Sequence, residues 1–169
     1  MAGASVEVRI DDRAVKALLA RLAAAADDLT PAMDRVGRAI AADVQRRFEE
    51  GVGPDRNPWP PSLRAALQGG RTLIDSARLL QSITWEAATR SVRIGTNVLY
   101  AAIHQFGGTI KAKGGRLAFT LADGSFVRPT QVTIPARPFL GIDDDQEAIV
   151  AGEIEAWLAE QAGPEAAAP

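Results

Sequence analysis

Cysteine is missing from all 169 residues, and histidine occurs once, at His104. The first absence excludes disulfides, thiolate zinc sites, iron–sulfur clusters and cysteine nucleophiles. The second excludes any multi-histidine metal centre. No apolar run approaches the roughly 18 residues that span a bilayer. The opening stretch from Met1 to Asp12 lacks the basic start and apolar run of a secretory signal. The expectation is a soluble protein made in the cytoplasm, with no membrane association and no cofactor. Phosphate-cradling glycine motifs are also missing, since Gly69-Gly70, Gly107-Gly108 and Gly114-Gly115 read as turn glycines. None of Ser62, Ser76, Ser82, Ser91 and Ser125 sits in a nucleophile elbow.

What is present is 47% hydrophobic residues and a length that suits one domain. We expect a single domain over 1–162, with the small, helix-breaking residues 163–169 as a flexible tail. The net charge of -2 is unevenly spread: +2 over residues 1–99, +4 over 100–142 and -8 over 143–169. Such asymmetry suits a complementary partner surface or a second copy of the chain. A polyanion binder would be basic overall, and the sequence pI is near 5.5.

Periodicity predicts the elements. Val6, Val8 and Ile10 alternate as in a short strand. Val15, Leu18, Leu19, Leu22 and Ala26 give one face of a helix over 11–29, capped by Asp11 or Asp12. Thr30-Pro31 opens a second helix with Met33, Val36, Ile40, Val44 and Phe48 inward, stopping at Gly51. Residues 51–72 read as loop, 75–82 as a short helix capped by Asp75 with Leu79 and Leu80 inward, and 83–94 as a hairpin. A short helix at 100–106 closes on Gly107-Gly108. Strands follow at 109–113, after a Gly114-Gly115 turn at 116–121, and after an Asp123-Gly124 turn at 126–134. One of Asp143, Asp144 and Asp145 starts a final helix with Ile149, Ile154, Trp157 and Leu158 inward. The fold class is α+β: N-terminal helices packed on an antiparallel sheet with a long hairpin, and a C-terminal helix.

The chemistry-bearing candidates are sparse. His104 is the one natural general base, but no spacing supplies it with a nucleophile, so we expect no enzyme. Asp143-Asp144-Asp145 reads as helix capping, since three consecutive side chains at a helix start do not converge on an ion. Arginine set among prolines and aromatics, in Arg56-Asn57-Pro58-Trp59 and in Pro135-Ala136-Arg137-Pro138-Phe139-Leu140-Gly141, has the composition of interface anchors. Two readings stay open for Trp59, Arg137 and Phe139: packed against the core, or docked against a partner. The candidate interface set is Arg56, Trp59, Tyr100, His104, Lys111, Lys113, Arg116, Arg128, Arg137, Phe139, Asp143, Asp144 and Glu147.

Several blocks in one order carry a resemblance. They are Arg56-Asn57-Pro58-Trp59-Pro60-Pro61, residues 73–83 (LIDSARLLQSI), residues 92–97 (VRIGTN), Tyr100-Ala101-Ala102-Ile103-His104-Gln105-Phe106-Gly107-Gly108, and Ile134-Pro135-Ala136-Arg137-Pro138-Phe139-Leu140-Gly141. Over roughly residues 33–158 the chain resembles the phage virion morphogenesis family, the tail-completion proteins of contractile-tailed phages. It departs from the family pattern in two places. Arg56-Asn57 stands where Asp-Gly usually precedes the tryptophan, and Asp75-Ser76-Ala77 stands where Thr-Gly often occurs. The resemblance implies a structural role late in tail assembly, in the virion neck. It implies a homo-oligomeric, hexameric ring that completes the tail, stabilises head–tail joining and lets DNA pass with at most weak contact. Its expected partners are neighbouring neck, tail-terminator or connector rings. The basic residues 100–142 of one copy are expected to lie near the acidic C-terminal helix of another. The alternative is an interaction module or nucleic-acid-contacting connector without fixed ring symmetry.

Overall fold

The computed structural model describes residues 12–163. The strand expected at Val6–Ile10, the cap at Asp11 and the tail at 164–169 lie outside the described residues. The elements run α1 (Arg13–Asp27), α2 (Thr30–Glu50), α3 (Leu63–Gln68), α4 (Arg78–Gln81), β1 (Thr84–Ala88) and β2 (Ser91–Gly95). They continue with α5 (Ala101–Phe106), β3 (Gly108–Lys111), β4 (Phe119–Thr120), β5 (Phe126–Val127), β6 (Gln131–Ile134) and α6 (Asp144–Ala162). The class is α+β, as the patterning indicates. None of the described helices is long and apolar enough to cross a membrane.

The organising element is α2. Met33, Val36, Ile40, Val44 and Phe48 are all buried, as their three-and-four spacing requires. The helix ends on Gly51 in the left-handed conformation, and the Gly51 amide donates to the Arg47 carbonyl at 2.8 Å. On one side lies the β1–β2 hairpin. Its Trp85 indole donates to Asp34 at 2.9 Å, and a β-carbon at Gly37 would stand 2.3 Å from the Trp85 ring. Helix and hairpin therefore meet closely only because residue 37 is glycine. On another side α6 packs antiparallel to α2: Arg47 near the end of α2 binds Asp143 before α6, and Arg35 binds Glu160 near the end of α6.

Several local expectations are corrected. Thr30 is the first residue of α2, and its amide donates to Asp28 Oδ1 at 2.9 Å. Asp12 precedes α1 without a capping bond and pairs instead with Lys16 at 2.7 Å. Residues 51–72 are not all loop, because Ser62 caps α3 by accepting from the Ala65 amide at 3.1 Å. The helix expected from Asp75 begins only at Arg78 and is 4 residues long. The strands form three separate two-stranded antiparallel ladders. Strand β3 does not pair across Gly114-Gly115. It pairs with β6, with Ile110 opposite Val132, and the short β4–β5 ladder is nested inside. Together 108–134 form one long hairpin. Of the elements outside it, none packs on its strands more than slightly.

The Asp75–Ala77 departure from the family pattern has a structural expression. Ala77 sits at φ 59°, in the left-handed region that a β-carbon disfavours by about 1–2 kcal/mol. Glycine there would give back part of that gain through the entropy of the unfolded chain, about 0.5–1 kcal/mol. Ala77→Gly is therefore expected to stabilise the protein by up to about 1 kcal/mol, read as a higher midpoint in chemical denaturation. Arg56, the other departure, lies at φ 58°.

Candidate assembly surfaces

The blocks that carry the resemblance converge. Trp59, Phe48 and Phe139 stack in the core with ring centroids 5.4 and 5.1 Å apart along the chain of contacts. The Trp59 indole donates to the Pro138 carbonyl at 2.8 Å. Arg137 is buried, and its guanidinium donates to the carbonyls of Pro60 (2.6 Å) and Pro61 (3.2 Å). Its amide donates to the His104 carbonyl at 2.7 Å. Gln105 completes the brace: its side-chain oxygen accepts from the amides of Phe139 and Leu140, each at 3.0 Å, and its nitrogen donates to the Leu140 carbonyl at 2.7 Å. Segments 56–61, 100–108 and 134–141 are thus one rigid unit. The side chains of Trp59, Arg137 and Phe139 take the core reading, because the prolines hold their backbone where the ring and guanidinium groups find partners within the subunit. A neighbour cannot reach the Phe139 ring without unpacking the chain.

A second brace joins α2 to α6. Arg47, fully buried, reaches Asp43 (3.0 Å), Asp143 (2.9 Å) and the Gly141 carbonyl (3.0 Å). Buried Gln146 donates to Asp43 at 2.9 Å, and its amide donates to Asp143 Oδ1 at 2.9 Å, which makes Asp143 the cap of α6. Arg56 pairs with Asp145 and lies 3.7 Å from both Glu50 and Asp143. The aspartate triplet therefore diverges, and two of its three members serve arginines of their own chain. Sequence reasoning missed Asp43, Arg47, Gln146 and Gln105. The available signal was a charged pair four residues apart, flanking the apolar positions Val44 and Phe48.

The remaining candidates face outward. Lys111, Lys113, Arg116 and Arg128 are exposed on the long hairpin, whose one acid is Asp123. Asp144 and Glu147 are exposed on the first turn of α6, and among the described residues neither has a side-chain partner. No ion pair among the described residues joins the hairpin to α6. Apolar side chains are also presented to solvent: Leu99 is 99% exposed, Phe106 78% and Ile142 75%. A fully exposed leucine next to buried Val98 and Ala101 is held there by its backbone.

His104 is half-buried with the Tyr100 ring edge-on at a centroid distance of 5.9 Å. Burial first, and then the Arg137 charge, hold its pKa below the ordinary 6.5. The unfolded chain thus takes the proton more readily, and the native state loses stability as pH falls through 6.5. Denaturation midpoints of the native chain between pH 7.5 and 5.5 are expected to drop more steeply than those of His104→Gln.

The matching family model, described as the phage virion morphogenesis family, covers residues 10–159. "Mu-like prophage FluMu G protein 2" of Haemophilus influenzae is 33% identical over 154 residues, which is 90% of this chain and 96% of that protein. "Putative capsid assembly protein G" of Escherichia phage Mu is 28% identical over 152 residues, which is 84% and 86% of the two chains. No solved structure matches. With nearly its whole length matched, the chain belongs to the phage virion morphogenesis family.

Proposed function

We propose that the chain is a non-catalytic building block of a phage tail. It joins copies of itself into a ring, six-fold like the tail, at the tail's head-proximal end, where it completes the tail and stabilises head–tail joining. Neighbouring neck, terminator or connector rings are its partners, and DNA passes with weak contact at most. The observation that carries this reading is the set of apolar side chains, Leu99, Phe106 and Ile142, that a braced backbone holds in solvent. Large exposed apolar groups on a rigid frame are what an assembly subunit needs, since docking then loses little conformational entropy.

A closed ring requires unlike faces on each copy. The cationic hairpin and the unpaired acids of α6 supply them, and long-range attraction orients the encounter. Charge reversal at Asp144 and Glu147 is expected to slow association and remove most of its dependence on salt, read by light scattering at 50 and 500 mM salt. Asp143 is unsuitable for that test because it holds Arg47. The function itself is tested by electron microscopy of particles assembled with and without the chain. Tails that finish normally and still attach to heads in its absence would reject it.

A further inference from the structure

Between α2, β2 and the start of α6 lies an apolar groove of about 430 Å³. Met33, Val36, Ile40, Ile94, Ile142 and Val150 line it. No described residue fills it, and members of the α2 stripe form its floor. Beside it, on the first turn of α6, stand the unpaired carboxylates Asp144 and Glu147. The acceptor face is therefore an apolar trough whose lining holds one cation, Arg93, paired with Glu86, and whose margin carries the two carboxylates.

Elsewhere on the same chain is a feature of opposite shape and charge. Leu99 lies in the turn just before α5, Ile103 within α5 and Phe106 at its last residue. Leu99 and Phe106 project into solvent, while Ile103 is half-buried. Two residues past Phe106 begins β3, leading into the cations Lys111, Lys113 and Arg116. An apolar ridge next to positive charge thus matches an apolar trough next to negative charge. The ridge is rigid, because Gln105 and Arg137 pin α5 to the 134–141 segment. Rigid, exposed aromatic and aliphatic anchors that fill a pocket dominate interface energetics.

We infer that the groove is the docking site for a second copy of this chain, which inserts Leu99 and Phe106 and lays its cationic hairpin along the acidic margin. The inference rests on the ring reading above and supplies its contact. Because ridge and trough are different surfaces, each copy offers one of each, and the contact propagates until the ring closes.

The experiment uses the cysteine-free background and the full chain. Sedimentation is run on the native chain, on Leu99→Asp/Phe106→Asp and on Leu19→Asp, with thermal melts to show that each variant is folded. The ridge variant is expected to weaken self-association at least about thirtyfold with an unchanged melt, while Leu19→Asp on α1 leaves it intact. Separately, Leu99→Cys and Ile142→Cys chains are co-expressed and treated with a short bismaleimide. A covalent pair between unlike variants is expected, with no product from either variant alone. Self-association that survives the ridge variant, or cross-links only between like variants, overturns the docking and leaves the ring reading standing. Loss of association in Leu19→Asp alone would place the contact on α1 and likewise overturn it. A native chain that stays monomeric at every concentration overturns the ring reading itself.

Discussion

Alanine in place of Asp43 is expected to cost about 3–5 kcal/mol of folding stability, the range for removing one partner of a buried ion pair. Arg47 has no exposure to water, and its charge is balanced by Asp43 and Asp143 on opposite elements. Without Asp43, Gln146 loses its acceptor as well. The loss is one of compensation more than of attraction, and that distinction can be measured. Asp43→Ala/Arg47→Met removes the stranded cation together with its partner, so the double variant should be more stable than the sum of the single changes indicates. A melting series in which the two changes simply add would show that the three groups do not act as a unit.

Phe139→Ala carries the second large effect, again about 3–5 kcal/mol. The ring is 1% exposed and packs on Phe48, which in turn meets Trp59 edge-on. Truncation opens a cavity whose walls cannot collapse, because α2 is on one side and the proline-fixed 58–61 loop is on the other. The same change loosens the segment that Gln105 holds, and with it the seat of α5. Stability by urea titration and self-association should therefore fall together in this variant. In the ridge variants association should fall alone.

How much of this was legible in the sequence depended on the range of the interaction. The stripe on α2 was plain, since five apolar residues at helical spacing need no partner to be recognised. The β1–β2 ladder was plain too, because strict alternation and a turn lie within twelve residues of each other. Of the short helices, α3 was not foreseen and α4 was read too long, whereas α5, as short as α3 at 6 residues, was legible because Gly107-Gly108 closes it. The nested hairpin was misread because Gly114-Gly115 looks like a turn between adjacent strands. The partner of β3 comes only after the β4–β5 ladder, where Thr109 and Thr133 bring their hydroxyls to 3.0 Å. The Arg47 brace could not be foreseen, since its second carboxylate is 96 positions away. Of the assembly surfaces, the charge split was legible by counting. The exposure of Leu99 and Phe106 was not: Leu99 falls in the turn before α5, and spacing alone does not say which side of so short a helix faces its own subunit.

The long hairpin is joined to the body through Gly107 and Pro135 at its root, and farther out Gln68 of α3 donates to the Ala122 carbonyl near its tip. At the root a β-carbon on Gly107 would stand 2.7 Å from the Ala136 nitrogen, so the base is fixed in place. Beyond it the strands satisfy one another, and apart from the Gln68 contact the helical body does not lean on them. Lengthening, trimming or recharging this appendage is thus a change that folding scarcely registers. Selection can retune what the appendage touches while the frame beneath it is inherited unchanged, which lets one architecture serve particles whose adjoining parts differ.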